Sequence, residues 1–181
     1  SRGLGDVYKR QAYTLSATLL LGLLAGAKPH TNIVYILADD LGYGDLSILG
    51  QSHFETPHID KLARKGMIFT DHYSGSTVCA PSRASLLTGL HTGHAPVRGN
   101  LEWQPEGQYP MPENTYIIPQ MLRPAGYTSG IFGKWGLGAP DTPSEPLNMG
   151  FDRFYGYNCQ RIAHHYYCLL YTSDAADDRI C

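Results

Sequence analysis

The stretch NIVYILA, residues 32–38, indicates the fold class of this chain, and Asp39 and Asp40 follow it directly. Its continuous apolar, β-branched run predicts a strand buried on both faces, as in a parallel sheet. Open α/β sheets bind ligands beyond the carboxyl ends of their strands, where these two carboxylates lie. Adjacent carboxylates there are costly unless a cation compensates them, which predicts a Ca²⁺ or Mg²⁺ site. A solvated turn or a helix cap is the alternative.

Strand and helix patterns alternate along the rest of the chain, which predicts an α/β layered domain. The first predicted helix opens at Thr56 and Pro57 and presents Ile59, Leu62 and Ala63 on one face. In chain order, the pattern predicts that Gly66 closes this helix and that a strand begins with residues 67–69. It then predicts a helix over 120–125, shortened by Pro124 and ended by Gly126, and a strand over 127–132.

The pentapeptide CAPSR, residues 79–83, carries a nucleophile and a cation at the predicted start of a short helix. Pro81 suits a first helical position because it has no N–H to leave unpaired. Cys79 then lies where free backbone N–H groups and the helix dipole favour an anion. These features indicate a site for a small oxyanion, whereas a lone Cys is otherwise more often a small buried hydrophobe.

The composition of the chain restricts its possible protein class only loosely. The 181 residues are 43% apolar and 17% charged with a net charge of −2, as for a single loop-rich globular domain. No basic run supplies a nucleic-acid surface, so no nucleic-acid partner is expected. The four cysteines form neither a zinc pattern nor a disulfide framework.

The residue composition of both ends differs from that of the middle of the chain. Residues 1–11 and 168–181 resemble translated sequencing-adapter read-through and are predicted to be non-native, with real surface tails as the alternative. Residues 12–27 join a short apolar core to small residues ending at Ala27, which predicts a signal peptide and a secreted or periplasmic protein. A buried helix is the alternative, and the core is too short to span a membrane.

Four motifs together resemble the formylglycine-dependent sulfatase family. They are Asp39-Asp40 after the first strand, Cys79-x-Pro81-Ser82-Arg83 with Thr88-Gly89, Gly133-Lys134-Trp135, and the run GFDRFYG at residues 150–156. The similarity extends from about Asn32 to Tyr167, so residues 28–167 are expected to be the N-terminal part of a sulfatase catalytic domain. The resemblance implies an alkaline-phosphatase-like α/β fold, with a mostly parallel sheet flanked by helices and incomplete at the C-terminus.

The resemblance also implies a chemistry for each matching residue. Cys79 would be oxidised to formylglycine by a formylglycine-generating or sulfatase-maturing enzyme, and its hydrated diol would attack the sulfur of a sulfated small molecule or glycan. Asp39, Asp40 and residue 79 would ligate Ca²⁺, with Mg²⁺ second. Arg83 would hold the diol, and Lys134 would bind a sulfate oxygen.

The chain departs from the family pattern at Gly136, where the family usually has a His that contacts the diol. The candidates for its proton-handling role are His94, His164 and His165, each of which is otherwise an ordinary surface histidine. The resemblance places further metal ligands and the leaving-group acid beyond residue 181, so we expect the chain to be inactive by itself.

Two other functions are compatible with the same residues. One is a phosphate or phosphonate ester hydrolase of the same fold, which would need a two-metal ligand set. The other is a non-catalytic anion-binding protein in which Cys79 remains a thiol. The residues placed where loops would contact a sugar are His91, Arg98, Asn100, Trp103 and Gln160, although Trp103 could equally cap the core.

Overall fold

A computed structural model describes residues 31–105 and 107–165 and the backbone of residues 171–172. The chain divides into two compact units, with the boundary between Asp60 and Lys61. The predicted non-native ends and the predicted signal peptide at 12–27 lie outside the described residues, apart from the backbone of 171–172. Among the described residues, no helix has the length and apolar character needed to cross a membrane.

The prediction of a buried strand over residues 32–38 is wrong for this structure. These residues have no regular secondary structure, and the side chains of Val34 and Ile36 are each 83% exposed. A strand needs a hydrogen-bonded neighbour, and no described strand pairs with this stretch. The sequence pattern identifies a segment suited to a sheet interior, but the described residues do not supply that interior.

The remainder of the first unit is organised around Asp60. Two short 3₁₀ helices, Tyr43–Asp45 and Ser47–Leu49, precede helix α1, Pro57–Lys65, which crosses the unit boundary. The hydroxyls of Ser47 and Thr56 each donate to the Asp60 carboxylate at 2.7 Å, and the Ile48 N–H donates at 3.3 Å. These bonds compensate for the burial of a charged group.

Helix α1 begins and ends where the sequence predicts, but it buries a different residue. Asp60 is the buried residue of this helix, whereas Ile59 and Leu62 of the predicted apolar face are exposed. The face is unburied because no described element covers it. The predicted strand at residues 67–69 is also wrong, since these residues are exposed and unpaired with any described strand.

The second unit combines short helices with a three-stranded sheet. Helix α2 is Cys79–Thr88, and helix α3, Ile118–Leu122, continues into a 3₁₀ turn at Arg123–Ala125. The strands are β1, Gly130–Lys134, β2, Arg153–Tyr157, and β3, Tyr171–Thr172, with helix α4, Gln160–His165, between the last two. The sheet order is β1-β2-β3, with β1 and β2 parallel and β2 and β3 antiparallel.

Proline and glycine set the boundaries of α3 as predicted. The α-helix changes to a 3₁₀ turn that contains Pro124, and Gly126 ends that turn in the left-handed conformation. The predicted strand at 127–132 exists but begins later, at Gly130, because Tyr127 is still bonded to the carbonyl of Leu122 at 3.4 Å.

A carboxylate ties the starts of the two parallel strands together. Asp152, just before β2, accepts from the N–H of Ser129, just before β1, at 2.7 Å, and it also pairs with Arg123 at 3.1 Å. Donation from the Ser129 backbone N–H, assisted by the Ser129 hydroxyl and by Arg123, lowers the pKa of Asp152 below its usual value of 3.8, although desolvation opposes this shift. The Asp of the run GFDRFYG therefore has a structural role.

The core of the second unit lies around Trp135. The indole N–H donates to the carbonyl of Ser144 at 2.9 Å, and the ring meets Phe151 edge to face with centroids 6.1 Å apart. Ala80 and Ala84 of α2 are fully buried in the same cluster, which also includes Ile117, Leu137, Met149 and Phe154. The small alanines let α2 approach the core closely, which fixes the helix that carries Cys79.

Candidate active site

Helix α2 separates a packing face from a polar face. Ala80, Pro81, Ala84 and Ser85 are buried, whereas Cys79 and Arg83 are partly exposed. Residues four apart lie on the same side of a helix, so Cys79 and Arg83 are neighbours on the polar face. Cys79 is the first helical residue and Pro81 the third, so the helix begins two residues earlier than the predicted first position at Pro81. Gly89 ends the helix in the left-handed conformation.

Lys134 joins this helix from the end of strand β1. Its Nζ donates to the Sγ of Cys79 at 3.4 Å, although the two residues are 55 positions apart in the sequence. Lys134 is only 9% exposed. A nearly buried ammonium at a half-buried thiol gives a fixed positive charge where an anion would bind.

Arg83 makes a second contact between α2 and the end of β1. Its Nη1 donates to the backbone carbonyl of Lys134, so α2 meets the end of β1 through both Cys79 and Arg83. The structure therefore brings together the three predicted residues Cys79, Arg83 and Lys134. Cys79 forms no disulfide and keeps a free thiol.

The two predicted carboxylate ligands belong to the first unit. Asp39 and Asp40 lie in a bend directly after residues 32–38, and Asp40 has a left-handed backbone with a φ of 58°. Carboxylate oxygens suit a hard divalent cation, but Ca²⁺ takes six to eight oxygen ligands, more than two carboxylates supply. The described residues contain no cluster of three or more His, Cys, Asp and Glu side chains. The metal assignment to Asp39, Asp40 and Cys79 stays a prediction.

Gln160 occupies the space where a side chain at position 136 would begin. Gly136 has a φ of 70°, and a Cβ built there would overlap the side-chain amide of Gln160. That amide is 5% exposed and its Nε2 donates to the Gly136 carbonyl at 3.4 Å. The position where the family usually has His is thus closed to any side chain while Gln160 keeps this conformation.

The other predicted residues divide between surface and interior. His91, His94, His164 and His165 are exposed, as is Arg98, which donates to the carbonyl of Gly93 at 2.5 Å. Trp103 is 44% exposed and contacts Tyr109 edge to face, so it does not cap the core. Gln160 is buried, which contradicts its predicted place in a sugar-contacting loop.

Comparison with known proteins agrees with this arrangement. The family profile described as Sulfatase matches residues 31–178, so the chain belongs to the sulfatase family. Solved sulfatase structures that match the chain confirm the predicted alkaline-phosphatase-like α/β fold, of which the chain covers part. The Cys79 motif and the three other motifs all lie within the matched region.

Individual relatives agree with the family match. The chain is 40% identical over 161 residues to rat N-acetylgalactosamine-6-sulfatase, covering 83% of this chain and 30% of that protein. It is 45% identical over 148 residues to human arylsulfatase A, covering 77% of this chain and 28% of that protein. A solved structure from Bacteroides thetaiotaomicron, described with the metabolism of multiple glycosaminoglycans, matches with a TM-score of 0.63 at 34% identity, covering 78% of this chain and 30% of that one. The chain thus spans less than a third of the length of these relatives.

Sequence reasoning missed the structural roles of two polar residues. Gln160 fills the space beside Gly136, and the side-chain oxygen of Asn100 accepts from the N–H of Ala80 at 2.9 Å. A usable sequence signal existed for Asn100. Val78 precedes the helix and has no side-chain oxygen, so the cap must come from elsewhere.

Proposed function

We propose that this chain is part of a sulfuric ester hydrolase that cleaves sulfate esters at a site built around residue 79. The observation that carries the proposal is the contact between Lys134 Nζ and Cys79 Sγ at 3.4 Å, within a chain that belongs to the sulfatase family. The contact supports the proposal because a fixed cation lies beside the residue that would become the nucleophile. The proposed activity belongs to the whole protein. This chain covers under a third of the length of its relatives.

Cys79 suits conversion to formylglycine because it is a free, partly exposed thiol at the start of a helix. Once formed and hydrated, that group supplies a geminal diol as the nucleophile toward sulfur. Lys134 would bind an oxygen of the sulfate and balance charge as it moves to the leaving group. The N–H of Cys79 meets no acceptor within residues 31–105 and 107–165, and it would add a donor for the same anion.

Arg83 would act mainly through position and charge. Its guanidinium fixes the end of β1 by donating to the Lys134 carbonyl, and its charge adds to that of the nearby ammonium. Two cations near the start of α2 favour a dianion such as sulfate over a neutral ligand. Removal of either cation is therefore expected to weaken anion binding.

Asp39 and Asp40 would hold the divalent cation, with Ca²⁺ preferred for its tolerance of mixed oxygen ligands. The bound cation would supply Lewis-acid polarisation of the sulfate oxygens. The two carboxylates would provide only part of its coordination shell. A formylglycine-generating or sulfatase-maturing enzyme would be the partner that modifies Cys79.

The proposed substrate class is a sulfated carbohydrate, with an aryl sulfate as the second choice. Support comes from relatives named for an N-acetylgalactosamine sulfate and from a structural neighbour described with glycosaminoglycan metabolism. Secretion or periplasmic location is part of the same proposal and rests on the predicted signal peptide at residues 12–27.

Mass spectrometry of the Cys79 peptide tests the proposal directly. The chain is produced with and without a co-expressed formylglycine-generating enzyme, and the Cys79 peptide is compared with the Cys159 peptide from the same digest. We expect an aldehyde and its hydrate at residue 79 only, and only with the enzyme present. An unmodified thiol with an enzyme that modifies a control sulfatase would favour the non-catalytic anion-binding alternative.

A phosphate or phosphonate ester hydrolase remains the second candidate, because a metal-assisted diol also attacks phosphorus. A longer protein that includes this segment distinguishes the two through its rates on matched sulfate and phosphate esters. Higher kcat/KM for the sulfate ester supports the proposal, and higher kcat/KM for the phosphate ester replaces it.

A further inference from the structure

The first turn of α2 lacks a conventional cap. Val78 is the N-cap residue and forms no side-chain cap bond. Pro81 has no N–H, and the N–H of Ser82 is bonded to the Val78 carbonyl at 3.1 Å. The unassigned donors of the first turn are therefore the N–H groups of Cys79 and Ala80.

Asn100 satisfies one of these donors from a distant part of the sequence. Its Oδ1 accepts from the Ala80 N–H at 2.9 Å across 20 positions of sequence. Ala80 is fully buried, so water does not readily replace this acceptor. The bond therefore matters more for the helix than an exposed cap would.

The chain between α2 and Asn100 returns along the helix to make this bond. A ten-residue helix rises about 15 Å, so the segment after Gly89 must run back over roughly that distance. Internal contacts hold the returning segment, including the bond from Arg98 to the Gly93 carbonyl at 2.5 Å and the bond from the Gly93 N–H to His91 Nδ1 at 3.1 Å.

We infer that Asn100 is a positioning residue for the reaction, acting as a cap supplied from outside the helix. By holding the N–H of Ala80, it fixes the first turn and so keeps residue 79 beside the ammonium of Lys134. The inference rests on the proposed function of residue 79. It assigns Asn100 a role through the helix, in place of the sugar contact that its loop position predicts.

Amide hydrogen exchange in the unmodified chain gives the first test. We expect the Ala80 amide to exchange more slowly than the Cys79 amide, which has no described acceptor. In Asn100→Ala, exchange at Ala80 should become about fivefold faster, the size of a lost helix cap. Asn100→Asp keeps an acceptor oxygen and should restore slow exchange. Equal exchange at Ala80 and Cys79 in the unaltered chain would overturn the inference without any variant.

Thiol alkylation tests positioning separately from helix stability. In the unaltered background, Lys134→Met should change the rate of iodoacetamide alkylation of Cys79 about tenfold, because the sulfur loses the charged donor that lies 3.4 Å away. If Asn100 holds Cys79 beside Lys134, the same change in the Asn100→Ala background should alter the rate less than about threefold. Peptide mass spectrometry reads the Cys79 rate separately from the other cysteines.

Matched variants decide the outcome. Asn114→Ala removes another exposed asparagine, and in that background Lys134→Met should change the Cys79 alkylation rate by its full amount. In the Asn100→Asp background the change in rate should also return to its full size. An effect of Lys134→Met that is equal in the Asn100→Ala and Asn114→Ala backgrounds would contradict the positioning role. Because these measurements use the thiol form, failure of formylglycine formation at residue 79 would be a separate result.

Discussion

The ammonium of Lys134 and the sulfur of Cys79 lie 3.4 Å apart, although they come from the end of a strand and the start of a helix. The contact depends on two packing events in the second unit. The buried alanines fix α2 against the core, and the pairing of β1 with β2 fixes the strand that ends at Lys134. A third link, from Arg83 to the Lys134 carbonyl, ties the helix directly to the strand end.

Replacement of Lys134 by methionine should weaken binding of inorganic sulfate about tenfold, because a charged hydrogen bond in a nearly buried position is lost. The measurement is an NMR titration of the unmodified chain that follows the amides at the start of α2. Lys65→Met removes an exposed lysine of α1 and serves as the matched control. Equal weakening in both variants would mean that sulfate responds only to net charge.

A side chain at position 136 should destabilise the second unit. Gly136→Ala combines a left-handed backbone with overlap onto Gln160, and we expect a loss of about 2–4 kcal/mol in the free energy of unfolding. Gly89→Ala is a close control, since Gly89 has a φ of 68° but nothing lies within 4 Å of its Cβ position. It should cost only about 1–2 kcal/mol, the backbone contribution alone.

The double variant Gly136→Ala with Gln160→Ala then isolates the steric part. Removal of the Gln160 amide should recover part of the loss, so the double variant should cost less than the sum of the two single variants. Chemical denaturation measures all four proteins. Strictly additive effects would show that Gln160 does not close the space beside Gly136.

Asp152 should make stability depend on acid pH. Its carboxyl has a lowered pKa in the folded chain, chiefly through the Ser129 backbone N–H, so its ionised form stabilises the fold. That contribution is fully present above the ordinary pKa of 3.8 and is lost as pH falls through the lowered folded value. The difference in stability between the unaltered chain and Asp152→Asn should therefore be greatest near neutral pH and shrink below about pH 4.

Thermal unfolding across pH 2.5–7 measures this difference. Glu113→Gln removes an exposed carboxylate without a described partner and should give a curve parallel to that of the unaltered chain. A constant difference between the unaltered chain and Asp152→Asn at every pH would contradict the lowered pKa as its cause.

The sequence predicts where the helices begin and end better than it predicts which residues are buried. Proline and glycine set the ends of α1 and α3 through backbone geometry, and these ends agree with the structure to within one or two residues. The strand expected at residues 32–38 and the apolar face of α1 depend on neighbours that the described residues do not supply. Hydrophobic periodicity indicates which face of a segment is suited to burial, but the face is buried only where another element packs against it.

The candidate site shows the same division. Cys79 and Arg83 are predictable as neighbours because they are four residues apart on one helix. The approach of Lys134 follows only from the family resemblance, since no local pattern relates positions 55 apart. The roles of Asn100 and Gln160 depend on side-chain directions in loops and tight turns, which residue type alone does not determine.

Asp60 should contribute most to the stability of the segment before α1. Asp60→Ala would remove the carboxylate acceptor of two half-buried hydroxyls and of the Ile48 N–H, and we expect a loss of about 2–3 kcal/mol. Amide exchange at Ile48 should rise in parallel, because its bond to the carboxylate is removed. Asp71→Ala, at an exposed carboxylate, should change stability by less than about 0.5 kcal/mol. Unchanged exchange at Ile48 in Asp60→Ala would show that other contacts hold the two 3₁₀ helices.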